Sequence, residues 1–115
     1  MNKNILKNID FEAVVSLAEL ATYSEGQIVS RTLIQNKSVS ITIFAFSSGE
    51  EISSHESSGD ALVYILDGIA DVTVGDNSFS PKKGEAIVMP AGIPHAVKAP
   101  DNFKMLLIVA FPEQQ

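Results

Sequence analysis

Past residue 22, every apolar run in this chain is short and ends at a glycine, a proline or an Asn/Asp turn. No helix-length apolar pattern fits between such stops, so the spacing predicts about nine or ten short strands in an all-β sandwich or barrel. β-branched residues dominate from Gln27 on. Residues 28–35 and 39–46 alternate faces across a polar turn at Gln35-Asn36-Lys37. Within 39–46, Val39, Ile41, Ile43 and Ala45 share one face, and Ser40, Thr42, Phe44 and Phe46 the other. Further strands are expected over 52–57, 61–66, 69–74, 78–80, 86–89, 95–98 and 103–111. Residues 61–66 are apolar on both faces, the pattern of a strand covered on both sides. Asp67-Gly68 is the strongest hairpin signal in the chain.

The first 22 residues have a different texture. Asn2 to Asn8 is polar, and a frayed end is expected there. Phe11, Val14, Val15, Leu17, Ala18 and Ala21 suit a short helix capped by Asp10. Residues 14–17 equally suit a strand leading into one helical turn at 18–20, the preferred reading. The expected organisation is one domain, an N-terminal extension over 1–22 followed by a β-barrel over 23–115.

Composition narrows the function. A formal net charge of -6 argues against a nucleic-acid backbone as partner, which calls for a basic face. With no cysteine there is no disulfide framework and no thiolate nucleophile or ligand. No apolar run approaches the ~18 residues of a membrane span. Met1-Asn2-Lys3-Asn4 leads into a polar segment rather than a signal-peptide core, so a soluble cytoplasmic protein is expected, with no membrane partner.

Both histidines lie in one stretch built as two similar halves. Gly49 opens a short strand-like segment ending at His55; Gly84 opens another that passes Pro90, Gly92 and Pro94 to His95. This framework resembles the cupin superfamily, small β-barrels of jelly-roll topology. Gly49, His55 and Gly68 match its first motif, and Gly84, Pro90, Gly92 and His95 its second. The first motif's second histidine is Ser57 here and its glutamate is Ala61; the second motif's asparagine is Ala99. The resemblance covers roughly residues 39–109 and points to the small single-domain microbial cupins. It implies a jelly-roll barrel whose metal-binding members hold a divalent transition metal (Zn, Ni, Fe, Mn or Cu); here only His55 and His95 survive of that ligand set, so no cofactor is certain and both a metal site and a degraded one stay open. It also implies a homodimer, the N-terminal segment crossing to a second subunit.

Two imidazoles suit such metals, but a catalytic zinc site takes three protein ligands and a facial iron triad needs a carboxylate. Glu51 shares strand parity with His55 but stands four residues away, roughly 13 Å. Asp60 neighbours the lost glutamate position with opposite parity, and the Ser58-Gly59 kink could turn it inward. The other reading is a neutral or proton-sharing histidine pair in a polar pocket. Candidate pocket residues are His55, Ser57, Tyr64, Met89 and His95, against an apolar wall of Ile43, Val63, Met89, Val97 and Leu107. Tyr64 and Met89 also suit plain core packing, and Arg31 either holds a carboxylate ligand or makes an exposed salt bridge. No nucleophile of the Ser-His-Asp kind and no phosphate-binding glycine loop is present. Three functions are therefore expected to compete: a small-molecule-binding protein, a metal-dependent oxygenase or isomerase, and a structural or partner-binding module.

Overall fold

The computed structural model describes residues 4–113; the outermost parts of the two expected segments, residues 1–3 and 114–115, lie outside the described residues. Nine strands form among the described residues: β1 (Ile28–Gln35), β2 (Val39–Phe46), β3 (Glu51–His55), β4 (Asp60–Asp67), β5 (Asp71–Val74), β6 (Asn77–Phe79), β7 (Ala86–Met89), β8 (His95–Lys98) and β9 (Phe103–Ala110). They build a five-stranded sheet in the order β1-β2-β9-β4-β7 and a four-stranded sheet in the order β3-β8-β5-β6. All pairings are antiparallel. This is the expected all-β jelly roll.

Alternation decides which side of each strand enters the core. On β2 the Phe46 side joins Val63, Ile65, Val72, Val97, Phe103 and Met105 between the sheets. Ring stacking of Phe46 on Phe103, with centroids 4.5 Å apart, fills this interior. The Ile43–Ala45 side faces outward and forms a second cluster with Leu33 and Ala21. Ile43 thus lies behind the sheet and is no part of the interior wall, whereas Val63, Met89 and Val97 are.

Two expectations change. Asp67-Gly68 makes no hairpin: β4 pairs with β9 and β7, while β5 pairs with β8 and β6. The turn carries the chain from one sheet to the other, since jelly-roll topology separates strands that are neighbours in sequence. The N-terminal segment forms no strand at 14–17. Its one regular feature among the described residues is a 3-10 turn, Leu17–Glu19, one residue earlier than expected. The segment lies over the outer face of the five-stranded sheet, where Ile9, Leu17, Leu20 and Tyr23 pack on the second cluster.

Polar contacts fasten this cover. The Lys7 amide donates to the Leu33 carbonyl at 2.8 Å and the Asn8 side chain to the Thr32 carbonyl at 2.8 Å, so the chain is held here rather than frayed. Arg31 donates to the Asn8 carbonyl at 2.9 Å, which serves neither of its expected roles. The Tyr23 hydroxyl donates to Asp67 at 2.6 Å, and the Lys104 ammonium sits 4.9 Å from the centre of the Tyr23 ring. Burial, then the hydrogen bond to Asp67 and the nearby negative charges, holds the Tyr23 proton well past the ordinary pKa of 10.0. The bond therefore contributes fully below pH 10 and is weakened as pH rises above it. Tyr23→Phe is expected to lower the unfolding free energy by about 1.5–3 kcal/mol, the range for a hydrogen bond to a charged group. A lower urea midpoint at unchanged slope is the reading that checks it.

Candidate functional site

His95 sits on β8, the inner strand between β3 and β5, opposite His55 on one side and Val74 on the other. It follows a corner, Pro90 to Pro94, that is tied down from two directions. The Gly92 amide donates to the Ser57 carbonyl at 2.9 Å, and the Ala91 amide to the Asp60 carboxylate at 2.8 Å. Gly92 has φ +75, which a side chain would resist. Two prolines and these two bonds set the angle at which β8 enters the sheet, and His95 is 3% exposed as a result.

A β-bulge places His55. Ile52 pairs with Val97, but His55 pairs with His95, so β3 uses one more residue than β8 over this span. In a regular ladder Ser54 would stand opposite His95. The extra residue shifts the face, and His55 joins the side on which Ile52 packs against the core. Glu51 pairs with Lys98 and falls on the other face, so the parity expected between Glu51 and His55 does not hold. No sequence signal marks this bulge beyond the two small polar residues Ser53 and Ser54.

The two rings meet edge to face, with centroids 4.3 Å apart and Nε2 atoms 3.2 Å apart. Each Nδ1 points at a backbone carbonyl two residues earlier, Ser53 for His55 at 3.1 Å and Ile93 for His95 at 3.2 Å. Three contacts then need three protons, and two neutral imidazoles supply two. If both Nδ1–H groups donate to carbonyls, two bare Nε2 lone pairs face each other. The pair is short of one cation. Burial pulls His95 below its ordinary pKa of 6.5; the bond to the Ile93 carbonyl opposes this in part, and the repulsion of a charge on His55 adds a smaller push downward. The buried ring of His95 therefore favours its neutral form.

For a metal the spacing fits and the donor count does not. Two imidazole nitrogens held about 2.0–2.1 Å from one tetrahedral ion stand about 3.3 Å apart. Among the described residues, no group of three or more His, Cys, Asp or Glu is placed to hold an ion. The reasons lie in the neighbours. Ala61, at the glutamate position, is 2% exposed and part of the core, as is Ala99 at the asparagine position. Asp60 is turned outward and engaged with Ala91. The Ser57 hydroxyl accepts from the Gly59 amide at 3.1 Å, closing a local turn. Among the described residues the donor set of a metal centre is incomplete.

Of the expected pocket residues, the structure brings His55 and His95 together and holds Ser57 at the adjoining corner. Met89 is buried in the core. Tyr64 stands apart: it pairs with Leu106 and Ala86 on the outer face of the five-stranded sheet and is 38% exposed. Among the described residues no helix is long and apolar enough to cross a membrane.

Comparison with known proteins agrees with the geometry. A cupin domain matches residues 42–111. The chain superposes on the crystal structure of a conserved protein of unknown function from Streptococcus pyogenes with TM-score 0.95 and 41% identity, covering 97% of this chain and 98% of that one. A cupin superfamily protein from Desulfitobacterium hafniense gives TM-score 0.88 and 36% identity over 93% of this chain and 98% of that one. A cupin 2 conserved barrel domain protein from Leptotrichia buccalis is 47% identical with TM-score 0.79, over 81% of this chain and 45% of that one. No curated protein matches. With the barrel topology, the corner at Pro90 to Pro94 and the inward histidines all in place, the chain belongs to the cupin family.

Proposed function

We propose that this cupin binds a small, weakly acidic molecule, such as a carboxylic acid or a phenol, at the His55–His95 pair. One observation carries the reading: two Nε2 atoms converge at 3.2 Å while both Nδ1 atoms are engaged with carbonyls, leaving the pair one proton short. An acidic ligand supplies that proton and stays as an anion beside the imidazolium it creates, a charge-assisted contact. His55 is the exposed partner and meets the ligand, whereas buried His95 holds His55 in place and shares its proton.

The test is a titration of protein carrying 15N-labelled histidine with short carboxylates and phenols between pH 5 and 8. The expected result is a joint shift of both Nε2 resonances, with affinity for the anion falling by about tenfold per pH unit above the pair's own titration, because one proton enters with the ligand. His95→Ala is expected to weaken binding by at least about tenfold, the loss of one charge-assisted hydrogen bond. Acids that leave both Nε2 resonances unmoved across the range contradict the proposal.

The alternative is a metal-dependent enzyme of oxygenase or isomerase type, favoured by the 3.2 Å spacing alone. Metal analysis after growth with Zn, Ni, Fe, Mn and Cu separates the two. Stoichiometric metal that is lost in both His55→Ala and His95→Ala supports the alternative, and protein without metal under every supply supports the binding reading.

A further inference from the structure

The two histidines meet at the weakest point of their ladder. His55 is the last residue of β3 and His95 the first of β8, and the register shift after Ile52 lies just before their pairing. Strand pairing alone leaves such an end free to splay. Both histidines, however, are joined to one short turn, residues 57–60. It follows His55 directly and ends at Asp60, the first residue of β4. From the other side, the Gly92 amide donates to the Ser57 carbonyl at 2.9 Å and the Ala91 amide to the Asp60 carboxylate at 2.8 Å. The next carbonyl along, that of Ile93, is the one that His95 Nδ1 faces at 3.2 Å. The corner that orients His95 is thus fastened to the segment that leaves His55.

The turn is fixed on its far side as well. Asp60 pairs with Ala110 in the β4–β9 ladder. A Cβ on Gly59 would stand 2.5 Å from the Ala110 carbonyl oxygen, 2.9 Å from Val109 Cγ1 and 3.0 Å from the Phe111 ring. Gly59 is not among the positive-φ glycines, so this close approach to β9, not backbone conformation, calls for glycine here. We infer that Gly59 and Asp60 are positioning residues for the histidine pair: Gly59 seats the turn on β9, and Asp60 holds the His95 corner to it, which sets the 3.2 Å between the Nε2 atoms. For the change in affinity expected below, this rests on the acid-binding reading of the pair. Neighbouring strand positions face opposite ways, so Ala61 enters the core while the acid at Asp60 grips the corner from outside. A carboxylate beside the site holds the site in shape. The tolerance is narrow. Relieving an added methyl at Gly59 moves the turn by about half an ångström or more, and a hydrogen bond between the rings is lost a few tenths of an ångström beyond 3.2 Å.

The test compares full-chain variants carrying 15N-labelled histidine, first without ligand and then titrated with acetate, near pH 7.5, where an ordinary histidine is neutral. In the ligand-free protein Asp60→Ala and Gly59→Ala are expected to cut the nuclear Overhauser effect between the His55 and His95 ring protons by about half or more and to shift both Nε2 resonances. Acetate affinity is expected to fall about tenfold in both. In Asp60→Asn the side-chain oxygen still accepts from the Ala91 amide, and both readings are expected to return to within about twofold of wild type. Gly84→Ala strains a glycine remote from the turn and is expected to leave the ring contact unchanged, so a general loss of stability does not imitate the effect. Because the ring contact is read without ligand, acetate that fails to bind the wild type contradicts the acid-binding reading alone. A ring contact unchanged in both alanine variants, or one disturbed as much in Asp60→Asn or Gly84→Ala as in Asp60→Ala, overturns the positioning role.

Discussion

Phe103→Ala is expected to lower the free energy of unfolding by about 3–5 kcal/mol, the cost of an aromatic-to-alanine cavity in a close-packed core. Phe103 is fully buried on β9 and pairs in register with Phe46 on β2. Their rings stack 25° from parallel, and Phe44 lies 6.0 Å from Phe46. The substitution removes the apolar area of one ring and the stacking contact, and leaves a void between two sheets whose strands cannot collapse inward without breaking ladder bonds. A domain of this size is stable by about 5–15 kcal/mol, so roughly a fifth or more of the total is at stake. Equilibrium urea unfolding reads the loss as a lower midpoint at unchanged slope, and the melting temperature is expected to fall by roughly 10–20 °C. A loss below about 1 kcal/mol would mean that the ring does not fill the interior as described.

Gly68→Ala is expected to cost about 2–5 kcal/mol, and Gly84→Ala only about 1–2 kcal/mol. Both residues have positive φ, +75 and +87. A methyl group at Gly84 would meet nothing within 4 Å, so the left-handed backbone alone is penalised. At Gly68 it would stand 2.5 Å from the Asn102 carbonyl oxygen and 3.0 Å from the Phe103 Cβ, where only a backbone shift relieves it. The β4-to-β5 crossover would have to move away from the loop that leads into β9. Parallel denaturation of the two variants checks the ordering, and equal losses would show that the approach of the two segments carries no energy.

These two glycines show what local pattern can and cannot reveal. Turn chemistry marks both, because glycine tolerates positive φ anywhere. Whether a turn closes a hairpin or crosses between sheets depends on which strand the returning segment meets, and Asp67-Gly68 reads the same locally in either case. The parity of β3 is similar. Counting by two put Glu51 with His55, and one bulged residue, visible only against β8, moved His55 to the face of Ile52. Tyr64 was misplaced for another reason: a strand that is apolar on both faces gives no internal sign of which face points into the barrel.

Taken alone, the sequence determined the class and the frame. Period-two apolar runs stopped by glycine, proline and Asn/Asp admit only strands, and the spacing of Gly49, His55, Gly84, Pro90, Gly92 and His95 carries the cupin framework. Ser57 and Ala61 at two of the four ligand positions already announced an incomplete ligand set. Tertiary structure decided the rest. It brought His55 and His95, forty positions apart, to 3.2 Å. It engaged Asp60 and Ser57 in local hydrogen bonds and laid Ile9, Leu17, Leu20 and Tyr23 over part of one sheet. Each of these outcomes depends on strands distant in sequence meeting in register, and register is set by the burial of a whole face rather than by any single residue's own preference.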